Sequence, residues 1–376
     1  MKKNASTTGD KNFLALYVVL TSVALFIVVI LVMKFETYFP NKYERIEGTN
    51  TVAISTPSPT VSTTLKIIPL DKALYDKKML LLANNATSTV TRTATSTATT
   101  TKVSVWPVKT VYPNAGALLP FNRIIAYYGN LYSTKMGVLG EYAPDIMRQK
   151  LEAEVKKWEA ADPNTPVIPA LDYIAITAQG APGTDGKYRF RMPDSEIDKV
   201  LALAAPIHAI VILDIQVGLS DVQTEIPLLE KYLKMPNVHL ALDPEFDMQN
   251  GKKPGTVIGT MDATQINYVS NYLAKLVQQN NLPPKVLVIH RFTQGMVTNY
   301  KQIVNIPEVQ IVMDMDGWGP QAKKIGTYNA FIVKEPVEFT GFKLFYKNDI
   351  KEANSSILTP EQLLTLKPRP SFIQFQ

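Results

Sequence analysis

Residues 209–243 read AIVILDIQVGLSDVQTEIPLLEKYLKMPNVHLALD. A β-branched run, Ala209–Gln216, leads through Gly218 and Ser220 into an amphipathic stretch, Val222–Lys234. Pro236 stops that stretch, and a second apolar run, Val238–Asp243, follows at once. Apolar runs of five to eight residues joined by a helix-period segment describe two parallel strands with a crossover helix. Nearly continuous hydrophobicity in both runs means that each strand is covered on both faces.

The same alternation extends outward in both directions. Predicted strands are Arg123–Tyr128, Val167–Ile176, Ala209–Gln216, Val238–Asp243, Lys285–His290, Gln310–Asp314, Ala330–Val333 and Gly341–Tyr346. Predicted helices are Pro144–Ala160, Pro193–Leu203, Val222–Lys234, Asp262–Gln279, Thr293–Val304 and Pro360–Leu366. Eight strands in about 250 residues is the count of a (β/α)8 TIM-like barrel. Pro336–Thr340 is too short to hold a helix between the last two predicted strands. A doubly wound open sheet is the competing architecture, but Tyr128-Gly129-Asn130 after the first strand lacks the glycine spacing of a dinucleotide loop.

The chain before this pattern differs in kind. Phe13–Met33 (FLALYVVLTSVALFIVVILVM) carries no charge, proline or glycine, and about twenty such residues span a bilayer core as a helix. The run exits into Lys34-Phe35-Glu36 without a small-residue cleavage site, as an uncleaved signal-anchor would. Lys2, Lys3 and Lys11 precede it, which places the N-terminus in the cytoplasm and the rest outside. Residues 34–102 contain Thr/Ser-rich tracts, 55–60 and 86–101, expected to remain a disordered stalk. Within that stalk Leu65–Ala83 is more apolar, a short helix that docks either on the globular domain or on the membrane. The expected organisation is therefore residues 1–12 cytoplasmic, 13–33 transmembrane, 34–102 stalk and 103–376 barrel.

Composition removes several functions. The 376 residues contain no cysteine, so thiol catalysis and thiolate metal sites are absent. The net charge of +6 is spread along the chain rather than gathered with aromatics, so no nucleic-acid partner is expected. No G-x-S-x-G and no P-loop occurs. No cofactor is expected. Only His290 lies at a predicted strand end, too few histidines for a binuclear zinc hydrolase, while oxygen ligation of Ca²⁺ or Mg²⁺ stays open.

Barrel enzymes place their chemistry at the C-terminal ends of the strands, and acidic residues recur there. Asp172, Asp214, Asp243, Glu245, Asp314, Asp316 and Glu335 all follow or end predicted strands, as does His290. His208 and His239 open strands and read as structural. In His239-Leu-Ala-Leu-Asp243-Pro-Glu245-Phe246, residues two apart share a strand face, so both carboxylates are predicted to point to the mouth. Proximity would raise the pKa of one, as a general acid requires.

A D-x-E ending strand four resembles the signature of chitinase-type barrel hydrolases and barrel-fold muramidases. The resemblance implies Glu245 as proton donor and Asp243 as its assistant. The chain departs from both families: Ala241 stands where the chitinase-type pattern has a further Asp, and Ala126-Tyr127-Tyr128 where muramidases carry an Asp. A second barrel-glycosidase layout pairs a Glu after strand four with one after strand seven, which assigns Glu335 as nucleophile; Asp314 is the other candidate. Asp172, Asp214, His290, Asp316, Tyr128 and Trp318 are predicted to bind substrate, with Tyr127 and Tyr132 at the rim. Trp318 is placed either against a sugar ring or against its own barrel. The expected function is a membrane-anchored, extracytoplasmic glycoside hydrolase acting on an envelope or extracellular polysaccharide. The alternative is a non-catalytic barrel that binds such a polymer or acts as an envelope scaffold.

Overall fold

The alternating pattern closes into a cylinder. In the computed structural model, which describes residues 68–84 and 105–376, eight parallel strands pair in chain order. They are β1 Arg123–Gly129, β2 Val167–Ala178, β3 Ile210–Ile215, β4 Val238–Leu242, β5 Lys285–Arg291, β6 Val309–Met315, β7 Phe339–Leu344 and β8 Phe372–Phe375. The barrel closes where Ile124–Tyr127 of β1 register with Phe372–Phe375 of β8. The TIM-like barrel expected from the sequence is thus the fold. The predicted span 13–33 and most of the stalk lie outside the described residues, among which no helix is long and apolar enough to cross a membrane.

The outer layer begins with α1 Lys72–Ala83. Its helices in chain order are then α2 Val138–Glu141, α3 Pro144–Ala161, α4 Asp194–Ala204, α5 Val222–Glu225, α6 Glu230–Leu233, α7 Ala263–Asn280, α8 Gln321–Thr327 and α9 Pro360–Leu363. Their ends follow local chemistry. Pro144 opens α3 with Asp145 in the first turn, where a fixed φ and a negative charge suit the free N–H groups. Asp262 and Gln265 form a capping box at α7, and Asn281 closes it in the left-handed conformation. Pro227 divides the predicted helix Val222–Lys234, so that α5 and α6 are separated by a 3-10 turn at Ile226–Leu229.

Three sequence expectations are corrected. Ala330–Val333, predicted as a strand, belongs to a π-helical segment Tyr328–Val333 that continues α8; a short apolar run is equally compatible with a buried helix. The predicted eighth strand at Gly341–Tyr346 is the seventh, and the eighth is Phe372–Phe375, four residues just beyond Pro368 and Pro370. The crossover that seemed too short is thereby replaced by residues 345–371, which contain α9. The predicted helix Thr293–Val304 is instead two 3-10 turns around a two-residue strand, broken by Gly295, β-branched Val297-Thr298 and Asn299 at φ 55°.

Of the two dockings open for residues 65–83, the described part packs on the globular domain. Tyr75, Met79 and Ala83 form one buried stripe on α1, and Tyr75 and Met79 join Leu119, Ile124, Ile210, Phe339 and Phe372 in one cluster. The helix therefore covers the barrel at the N-terminal ends of its strands, and Gln310 ties Leu118 and Leu119 there by accepting both N–H groups.

Inside the barrel the lining changes half-way up. Near α1 it is apolar, with Ile124, Ala126, Ala170, Ile212, Ala241, Val286, Val288 and Val312. Toward the C-terminal ends the inward positions become Tyr128, Asp172, Asp214, Asp243, His290, Asp314, Lys343 and Gln374, all at most 3 % exposed. A buried polar layer is costly unless its members pair, and this one places charge where barrel enzymes do chemistry.

Candidate active site

A cleft of about 680 Å³ opens above that layer, with Tyr128, Asp243, Glu245, Asp316, Trp318 and Lys343 among its lining residues. Asp243 and Glu245 reach it by a route different from the predicted strand alternation. β4 ends at Leu242, and Pro244–Phe246 form a 3-10 turn capped by Asp243, whose Oδ1 accepts the Glu245 N–H at 3.2 Å. Gly259 presses against this turn and donates its N–H to the Glu245 carbonyl at 2.7 Å; a Cβ there would stand 2.6 Å from that carbonyl.

Asp243 is buried, and Gln216 donates to its Oδ2 at 3.0 Å while also lying 3.4 Å from the Tyr128 hydroxyl. Burial, then the charge of Asp214, pushes the Asp243 carboxyl up to about 8. Burial, then the charge of Asp316, pushes Glu245 up to about 7. Near neutral pH these two carboxyls therefore hold protons that ordinary carboxylates have lost.

Asp316 is the ion-paired carboxylate of the cleft. Lys343 Nζ lies 3.1 Å from its Oδ1 and 3.8 Å from the centre of the Tyr128 ring, and His290 Nδ1 lies 3.5 Å from its Oδ2. Burial works against a charged Lys343, but Asp316, Asp243 and Asp314 together hold its pKa above the ordinary lysine value.

Beneath the cleft floor, His290 bridges Asp214 (Nε2 to Oδ2, 2.9 Å) and Asp314 (Nδ1 to Oδ2, 3.2 Å). Burial would neutralise the imidazole, and the two aspartates overcome this and keep its pKa well above the ordinary value. Gln374 donates to Asp172 at 2.6 Å. Burial raises the carboxyls of both Asp172 and Asp314. Gly341 makes this layer possible, because a Cβ there would stand 2.5 Å from Asp314 Oδ1.

The predicted site residues thus separate into three groups. Asp243, Glu245, Asp316, Tyr128 and Trp318 meet at the cleft. Asp172, Asp214, His290 and Asp314 lie one layer below and hold the groups above them, so Asp314 is placed for positioning rather than for attack. Glu335 is elsewhere: it precedes β7 rather than following a strand, and it forms an ion pair with Arg291 at 2.5 Å and accepts from Gln294. Tyr127 faces the outer layer against Tyr346. Tyr132 is exposed and packs near Phe190. His239 is structural, as expected, accepting the Val286 N–H on Nδ1.

Trp318 lines the cleft. It stands 47 % exposed at the cleft, with Lys323 and Lys351 over its ring at 5.1 and 5.4 Å. Sequence reasoning missed Lys343, Gln216 and Gln374. The signal for Lys343 was a lone lysine two residues beyond Gly341 in an apolar strand, and for Gln216 its place two residues after Asp214. Among the described residues no group of three or more His, Asp or Glu side chains is arranged to hold a metal ion.

No family model matches the chain, and no curated protein matches it. Among solved structures it is similar to a ruminal GH26 endo-beta-1,4-mannanase, with TM-score 0.33 and 12 % identity over 67 % of this chain and 58 % of that one. It is also similar to a Bacillus subtilis mannanase, with TM-score 0.36 and 13 % identity over 69 % of this chain and 81 % of that one. At such values the functional reading stands on the cleft's own residues. Those place two carboxyls of raised pKa and an ion-paired carboxylate at the mouth of a (β/α)8 barrel.

Proposed function

We propose that this barrel is a glycoside hydrolase acting on a polysaccharide, with Glu245 as general acid and Asp316 as the ionised partner. The observation that carries the reading is a Glu245 carboxyl raised to about 7 in the same cleft as Asp316, which Lys343 holds at 3.1 Å. A carboxyl that keeps its proton near neutral pH, in one cleft with an ion-paired carboxylate, is what glycosidic cleavage uses. Glu245 gives its proton to the leaving oxygen as the bond to the anomeric carbon breaks. Asp316 faces the resulting positive centre, either attacking it or taking the proton of the water that does. Asp243, protonated and fixed by Gln216 and the Glu245 N–H, orients the acid or a substrate group. These roles move the second carboxylate from Glu335 and Asp314 to Asp316.

Trp318 supplies a stacking surface for a sugar ring at the rim. Truncating it, Trp318→Ala, is expected to raise KM about tenfold with kcat little changed, because binding lost equally from ground and transition states acts on KM alone. A fall in kcat with KM constant would contradict a rim role. The reading as a whole is tested by reducing-end release from a panel of neutral and charged polysaccharides by the full-length protein. Binding to such polymers without turnover would favour the non-catalytic alternative.

The proposal includes location. The apolar run 13–33 and the lysines before it support a single-pass anchor with the barrel outside the cytoplasm. Protease treatment of intact cells should then remove the barrel while sparing the N-terminus; a protected barrel would reverse the assignment.

A further inference from the structure

At the opposite end of the barrel a second cavity, of about 120 Å³, lies between α1, the entry to β1, the turn after α3 and the loop before β8. Lys78, Arg123, Asp162 and Arg369 bring its charges. We infer that this cavity binds a tetrahedral oxyanion of the phosphate class, held by Arg123, Arg369 and Lys78, which fastens α1 to the closed end of the barrel.

The donors are in place before any ligand is considered. Arg123 is 1 % exposed, and its plane is set by Trp158, 5.2 Å from the guanidinium carbon. Its Nη2 donates to Asp162 at 3.0 Å and its Nε to the Pro370 carbonyl at 3.4 Å. Its Nη1 is buried and has no acceptor among the described residues. Arg369 repeats the arrangement: Nη2 donates to Asn84 Oδ1 at 3.0 Å, its backbone N–H to the Leu82 carbonyl at 2.7 Å, and its buried Nε has no acceptor among the described residues. Lys78 donates to the Asn164 carbonyl at 2.7 Å and has donors to spare.

An orphaned buried N–H carries its full desolvation cost, more so on a charged group. Here two guanidinium groups contribute one each, close enough that Arg369 adds to the burial that lowers the Arg123 pKa. Three cationic side chains meet one carboxylate, Asp162, so the cavity keeps a surplus of positive charge. A doubly charged oxyanion offsets that surplus, which a neutral water cannot do, and the guanidinium fork matches its geometry. The space exceeds several-fold what one water requires. The position gives the site a consequence: Lys78 and the Leu82 and Asn84 partners belong to α1 and its cap, while Arg123 belongs to the barrel wall, so one anion would join both.

The test is calorimetric titration of the full-length protein with inorganic phosphate against chloride at equal ionic strength. Saturable binding at one site is expected, weakened at least about tenfold in both Arg369→Gln and Lys78→Gln through the loss of a charge-assisted donor. Phosphate should also raise the unfolding temperature of the wild type and not that of Arg369→Gln. A glycerol phosphate arm separates two sources of the same group. Binding as tight as or tighter than phosphate assigns the terminal phosphate of a larger ligand, and exclusion assigns a free ion; either supports the site. Absence of saturable phosphate binding, or undiminished binding in both variants, overturns it.

Discussion

Replacing Glu245 by glutamine is expected to lower glycan turnover by about 10²–10⁴-fold, the usual contribution of a positioned general acid, while the protein stays folded. The amide keeps the size of the side chain and cannot deliver a proton. The stability change has a sign of its own. The Glu245 carboxyl is raised from 4.5 to about 7, because burial and Asp316 disfavour its charge. Its contribution to stability is therefore fully present below pH 4.5 and is lost as pH rises through about 7. Glutamine, neutral at every pH, escapes that loss, so the variant should be as stable as the wild type at low pH and more stable at pH 8, by up to about 3 kcal/mol. The wild-type rate should fall on the alkaline side as Glu245 ionises, and the residual rate of the variant should lack that limb. Parallel pH profiles of kcat/KM and thermal unfolding decide the matter. A variant with wild-type turnover, or one whose stability relative to the wild type does not increase with pH, removes Glu245 from the mechanism.

The proposed pairing of a protonated acid with an ionised carboxylate was only half legible in the sequence. Asp243 and Glu245 were visible because Val238–Leu242 is a short apolar run with two acids just beyond its end, and strand ends are where barrels keep their chemistry. The ionised partner was hidden behind an error of fold. Once Ala330–Val333 was read as a strand, Glu335 seemed to follow strand seven, whereas the chain there is helical and Glu335 neutralises Arg291 in the outer layer. The true β7 carries Lys343, and only the register Gly341↔Asp314 and Phe342↔Met315 shows that this lysine rises beside β6 toward Asp316. β8 escaped notice because Phe372–Phe375 is four residues long, beyond two prolines that ordinarily argue against a central strand. Local pattern specifies individual strands well; which carboxylate faces which cation depends on pairing across the barrel.

Lys343 is therefore where the largest loss of stability is expected. It is 2 % exposed, pairs with Asp316 at 3.1 Å and lies over Tyr128. Its charge also lowers the pKa of Asp172, Glu245 and Asp314, each of which burial raises. Lys343→Met preserves the length and apolar contacts of the chain and removes only the ammonium. Breaking a buried pair from one side typically costs about 3–5 kcal/mol, because the remaining charge is left unpaired. The layer then holds Asp172, Asp214, Asp243, Asp314 and Asp316 around His290 alone, and the carboxyls of Asp172 and Asp314, already raised by burial, must rise further. Raised carboxyls lose their stabilising contribution as pH rises through the folded pKa, so the deficit should be small at pH 5 and reach its full size by pH 8. Urea midpoints with an unchanged slope, compared at the two pH values, measure it. The same variant should lose turnover as well, since Asp316 would lose the cation that pairs with it in the cleft. A deficit equal at both pH values would mean that the ammonium is not coupled to the titrating carboxyls, and the electrostatic account of the cleft would fail with it.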